Sequence, residues 1–184
     1  MNTLKIVLAT LVVSVLVLGV IFAGAIYSGV YNVAASDKHW PITHWTLKQT
    51  VKHSVSRHAA SVEAPALGSR DQVLAGAANF EAMCSGCHTP PGAKPTPMAK
   101  GMYPSPPDLS HSGGEMAANE IFWAIKHGIK ASGMPAWGAT HGDGEILAMT
   151  AFVKQLPEMS DADYQRLLRS AKARGIGHGG DGAG

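Results

Sequence analysis

Hydrophobic residues fall along the chain in two kinds of pattern. From Ile6 to Ile26 they form an unbroken run of 21 residues without a charge, rich in Val, Leu and Ile. A helix of that length crosses roughly 30 Å of hydrocarbon. Further on, apolar positions recur at spacings of three or four, as they do in helices with one buried face. Leu47, Val51, Val55, Ala59 and Val62 predict one such helix within residues 36–64, and Val73, Ala77 and Phe80 a second over Asp71–Met83. A third, short helix is expected over Asn119–His127, with Ile121, Phe122 and Ile125 inward and Gly128 as its C-cap. Asp143–Leu156 reads as a longer one stopped by Pro157, and a last helix starts at Ser160 with Tyr164, Leu167, Leu168 and Ala171 on one side. The patterns are mostly helical, and the fold class expected is all-α.

Between these segments the chain breaks in characteristic ways. Glu63–Ser69 reads as a linker that ends at a helix cap, and residues from Gly175 onward form a flexible Gly-rich tail. Residues 89–97 and 103–109 hold so many prolines that neither a regular helix nor a central strand is expected there. The organisation predicted is a membrane anchor (1–35), an amphipathic segment and linker (36–68), a compact domain (69–157) and a C-terminal helix with its tail (158–184).

The N-terminal run has a rival reading as a cleaved signal peptide, with Val33-Ala34-Ala35 as a small-residue processing site. Its length exceeds the usual signal core of about 7 to 15 residues, which favours an uncleaved anchor. Net charge changes little. The whole chain stands at +2, and from Pro65 onward ten basic residues face eleven acidic ones, so nothing suggests nucleic-acid binding. Residues 36–64 are different, with Lys38, Lys48, Lys52 and Arg57 beside Trp40 and Trp45. That helix suits either a headgroup surface or a partner subunit in the membrane. Its four histidines, His39, His44, His53 and His58, are read as a solvated polar face.

The chemistry is concentrated in Cys84-Ser85-Gly86-Cys87-His88, which contains the only two cysteines of the chain. This spacing lets two thiols add to the vinyl groups of one haem while the adjacent imidazole reaches the iron. A structural zinc site would need a second pair of ligands, and a thioredoxin-like pair would need strands around it. A low-spin haem takes a second axial ligand, most often a thioether. Met134, in Gly133-Met134-Pro135-Ala136-Trp137, is the expected one, ahead of Met98, Met102, His111 and His127.

Residues from about Asp71 to Leu156 resemble a class I cytochrome c, particularly the bacterial branch similar to the cytochrome subunits of terminal oxidases. The resemblance rests on Gly76-Ala77-Ala78-Asn79-Phe80, the Cys84–His88 motif, Pro107-Asp108-Leu109, the Gly-Met-Pro loop and a closing helix with Phe152, in that order. It implies one covalently attached haem c. It also implies that the final helix crosses Gly76, that the Pro107 carbonyl accepts from His88, and that Leu109 packs on the porphyrin. Trp123 would donate to a propionate or serve as plain core. Because such haem is attached outside the cytoplasmic membrane, the resemblance places the haem domain in the periplasm on a single inner-membrane anchor.

With both axial positions filled there is no open site for substrate, and the expected chemistry is one-electron transfer rather than enzymatic turnover. Three functions follow. The first is a tethered carrier between respiratory redox partners, and the second is a permanent subunit of a terminal oxidase, quinol-oxidising complex or periplasmic dehydrogenase. The third, a haem sensor or peroxidase, would require Met134 to be displaced.

Overall fold

A computed structural model of the chain describes residues 2–63 and 66–177, and they are helical without a strand among them. The middle of the expected linker and most of the expected Gly-rich tail lie outside the described residues. Two units separate, residues up to Asp37 and residues from Lys38 onward.

The first unit is essentially one helix, α1 (Thr3–Tyr27), whose mean hydropathy reaches 3.0 and none of whose residues is buried. By length and composition it is able to cross a membrane.

The second unit is built around the crossing of two helices, α3 (Arg70–Met83) and α7 (Asp143–Gln155). Between α1 and α3 lies α2 (Pro41–Ala59). A capping box starts α3: the Ser69 hydroxyl accepts from the Gln72 amide at 3.1 Å, and the Gln72 side chain accepts from the Ser69 amide at 3.3 Å. At Gly76 the α7 backbone approaches so closely that a Cβ would overlap the Ala148 carbonyl and lie 2.7 Å from Phe152 Cβ. A glycine in mid-helix is worth its propensity cost only where something must come this near.

Three aromatic rings hold the centre. Phe80 of α3 lies 5.1 Å from Phe152 of α7, and both meet Tyr164 of α8 (Asp161–Ala173), at 6.3 and 5.9 Å. These are the separations at which tilted and edge-on rings attract. All three rings are buried, so the last helix belongs to the core. Its phenol donates to the Glu81 carboxylate, and Arg174 pairs with Asp71 at 2.7 Å.

Across the other side of α7 lies α6 (Ala118–His127), which contributes Ile121, Phe122 and Ile125 to the same core. α2 packs on α6 through the buried Val55 and Ala59. The proline-rich stretch departs from expectation, since α4 (Pro97–Gly101) and α5 (Leu109–Ser112) each make about one turn. Proline is acceptable as the first residue of a helix, where its missing N–H would have had no partner. Thr96 caps α4 by accepting from Ala99 at 3.1 Å, and Asp108 caps α5 by accepting from Ser110 at 2.9 Å.

Candidate haem-binding site

The Cys84–His88 motif begins where α3 ends. Cys84 closes the helix, its amide donating to Phe80, and the chain turns so that the amides of Cys87 and His88 both donate to the Cys84 carbonyl, at 3.0 and 2.7 Å. Both sulfurs are free thiols on one tight turn and half-buried. Burial, together with the neighbouring Cys87, pushes the Cys84 thiol up to about 12. The turn is pinned from outside by Thr96, whose hydroxyl donates to the Gly86 carbonyl while it caps α4.

His88 is oriented by its other ring nitrogen. Nδ1 donates to the Pro107 carbonyl at 2.9 Å, as the resemblance implies, so Nε2 holds the lone pair. Desolvation lowers the imidazole pKa and outweighs that hydrogen bond. The ring is therefore neutral at neutral pH, the form that ligates a metal. Pro107 ends the proline-rich loop just before the Asp108 cap, and the rigid backbone there holds the acceptor in place.

Met134 sits in a loop that its neighbours define closely. Gly128 closes α6 at φ 65°, where a Cβ would strike the Met134 carbonyl and the Pro135 backbone. The Ile129 amide donates to the Met134 carbonyl at 3.2 Å. The Ser132 hydroxyl accepts from the Met134 amide at 3.2 Å and donates to the Ile129 carbonyl at 2.8 Å. Met134 is half-buried against the core, as are Cys84, Leu109 and Trp137. Met102 is close by, since a Cβ on Gly133 would overlap its methyl group.

Trp123 takes a different place. Its ring stacks on His58 of α2 at 5.6 Å and lies 4.9 Å from His127. Of the residues singled out from sequence, Cys84, Leu109 and Met134 border one core, His88 and Pro107 are joined by a hydrogen bond, and Trp123 stands against α2. Sequence reading missed Ser132 and Trp137. Trp137 adjoins the Gly-Met-Pro loop and was visible there; no local pattern distinguishes Ser132.

The donor set fits a covalently held haem. Two thiols on one turn, a neutral imidazole with its second nitrogen committed to a carbonyl, and a thioether in a tied loop are the soft and borderline donors that haem iron and its vinyl groups take up. Among the described residues there is no cluster of three or more His, Cys, Asp or Glu side chains able to hold a bare metal ion.

The family described as cytochrome c oxidase, cbb3-type, subunit III matches residues 71–153. No curated protein and no solved structure gives a significant match. Residues 71–153 thus form a class I c-type cytochrome domain, a haem-based electron-transfer module similar to the cytochrome c subunits of terminal oxidases.

Proposed function

We propose that the protein is a membrane-anchored monohaem cytochrome that passes single electrons between respiratory partners on the periplasmic side of the inner membrane. The observation that carries the reading is the Cys84–His88 turn at the end of α3 with His88 Nδ1 committed to Pro107. In this reading Cys84 and Cys87 would hold the haem covalently, His88 and Met134 would ligate its iron, and Pro107 and Leu109 would border the pocket, with Trp123 serving as plain packing against His58. Residues 1–35 are the anchor, 36–68 the amphipathic segment and linker, 69–157 the haem domain and 158–184 the C-terminal helix and tail.

When bound, the haem supplies a one-electron couple. The chain's own residues do the rest. His88, held by Pro107, keeps one orientation and so a constant basicity. The Met134 thioether favours the reduced state, and the loop tied by Ser132 keeps its position similar in both states. Leu109 and Trp137 keep water from the cofactor, and no acid, base or nucleophile is required. Docking through a small exposed edge suits a transient redox encounter. An anchor raises the effective concentration of the domain at membrane partners.

A second reading, a permanent subunit of a membrane oxidoreductase, is favoured by the family match, whose description names an oxidase subunit. To test the two, native membranes are solubilised in mild detergent, resolved on a native gel and stained for haem. A haem band near the mass of one chain plus detergent supports the carrier. A stable large complex establishes the subunit. A band without haem refutes both.

A further inference from the structure

α2 is engaged with the domain along only one side. Val55 and Ala59 are buried against α6, whereas Ile42 and Trp45 lie about a third and a sixth of a turn around the helix from them and are 65% and 59% exposed. Ile42 and Trp45 are i, i+3 neighbours, so their exposed side chains adjoin on one face rather than lying scattered, and an adjoining apolar patch marks a contact surface. From Lys38 to Val62 the chain has no acidic residue, and Lys48 and Lys52 project from the turns that follow Trp45. Among the described residues, neither lysine, nor Arg57, lies within ion-pair distance of a carboxylate.

We propose that this face of α2 lies in the headgroup layer of an anionic bilayer, with Trp45 and Ile42 inserted at the level of the glycerol backbone and Lys48 and Lys52 over lipid phosphates. This rests on the reading of α1 as a membrane anchor. Charge complementarity selects the occupant: an acid-free basic stretch matches a sheet of phosphates, and an amphipathic ring flanked by long cationic side chains is the chemistry of an interfacial helix. The covalent connection points the same way. Residues 28–40 join the end of α1 to α2 and reach at most about 45 Å fully extended, so in the chain α2 is the first helix after the anchor. A second consequence follows from Val55 and Ala59. Because the far end of α2 is fixed to α6, seating its near end on lipid orients the haem domain relative to the membrane, where a plain tether would let it tumble.

The test uses full-length holoprotein, kept reduced, in lipid nanodiscs. Nitroxide labels are placed singly at Gln49→Cys beside Trp45, at Val15→Cys in α1 and at Gln165→Cys on the exposed side of α8. Collision with lipid-dissolved oxygen is compared with collision with a water-soluble nickel chelate. The ratio of oxygen to nickel collisions at position 49 should rise several-fold when phosphatidylglycerol is added to phosphatidylcholine, fall back in high salt, and stay flat at 165. Trp45→Ala, and Lys48→Gln with Lys52→Gln, should each abolish the rise. If position 49 behaves like 165 while position 15 is in the bilayer, the inference fails and the anchor stands. Water access at position 15 overturns both. Shielding at 49 that occurs only in native membranes, and not in lipid nanodiscs, means that a protein covers this face and refutes the inference.

Discussion

The side-chain amide of Asn119, at the start of α6, donates to the carbonyl of Ala59, the last residue of α2, at 2.9 Å. It is a second donor to a carbonyl at the helix C-terminus that already accepts from the Val62 amide at 2.9 Å, and it ties together two helices whose bonded residues stand sixty apart in sequence. Asn119→Ala removes this tie between α2 and α6 while the carbonyl keeps Val62, so the domain should lose about 1 kcal/mol, the net worth of one hydrogen bond. Denaturant unfolding followed by haem absorbance measures the loss. Hydrogen exchange should show it concentrated in α2, and equal acceleration in all helices would contradict the assignment.

Gly76→Ala sets helix propensity against packing. Alanine would gain about 1 kcal/mol as a helix former. The added methyl, however, meets the Ala148 carbonyl and Phe152 Cβ, and overpacking costs up to about 3 kcal/mol where side chains are able to yield. Backbone yields less, so a net destabilisation of about 2 kcal/mol or more is expected. A midpoint equal to or above the parent's would mean that α3 and α7 are not in this contact in solution.

Met134→Ala should leave covalent haem in place, lower the reduction potential and open the iron to cyanide. Potentiometric titration and cyanide binding read the two effects. Met102→Ala is the internal control, because its thioether lies against Gly133 in the same loop. If Met102→Ala shifts the potential and Met134→Ala does not, the ligand is Met102.

Tyr164 gives a pH signature. Burial, then its hydrogen bond to Glu81, raises the phenol pKa well above its usual value of about 10. The folded state thus holds this proton more tightly than the unfolded state. Its stabilising contribution is complete below about pH 10 and is lost as pH rises through the raised folded value. Tyr164→Phe should cost about 1 kcal/mol at neutral pH for the lost hydrogen bond. It should also remove part of the alkaline loss, so that parent and variant converge above pH 10. Parallel stability curves to pH 11 would refute this.

Periodicity located α3, α6, α7 and α8 to within about a residue, because each has a buried face, with Ser69 and Ser160 marking two of the starts, whereas α2 runs only from Pro41 to Ala59 and stops five residues inside each end of the segment 36–64. α4 was not legible, since Pro97 acts in one context as a helix breaker and in another as a first residue, and the deciding partner is the Thr96 hydroxyl. The link between His88 and Pro107 came from resemblance, because a separation of nineteen residues leaves no periodic trace. The stacking of His58 on Trp123 and the bond from Asn119 to Ala59 were also hidden, for the same physical reason. Both join surfaces of different helices, and a polar residue facing a neighbour has the same local signature as one facing water.

The crossing at Gly76 also sets a sequence in time. Cys84 and Cys87 end α3, one of the earlier helices of the chain, whereas α7, which shuts over α3, comes much later. A polypeptide emerging N-terminus first therefore passes through an interval in which both sulfurs have been made and the lid over their helix has not. During that interval the Gly76 face of α3 is still without the helix that packs on it.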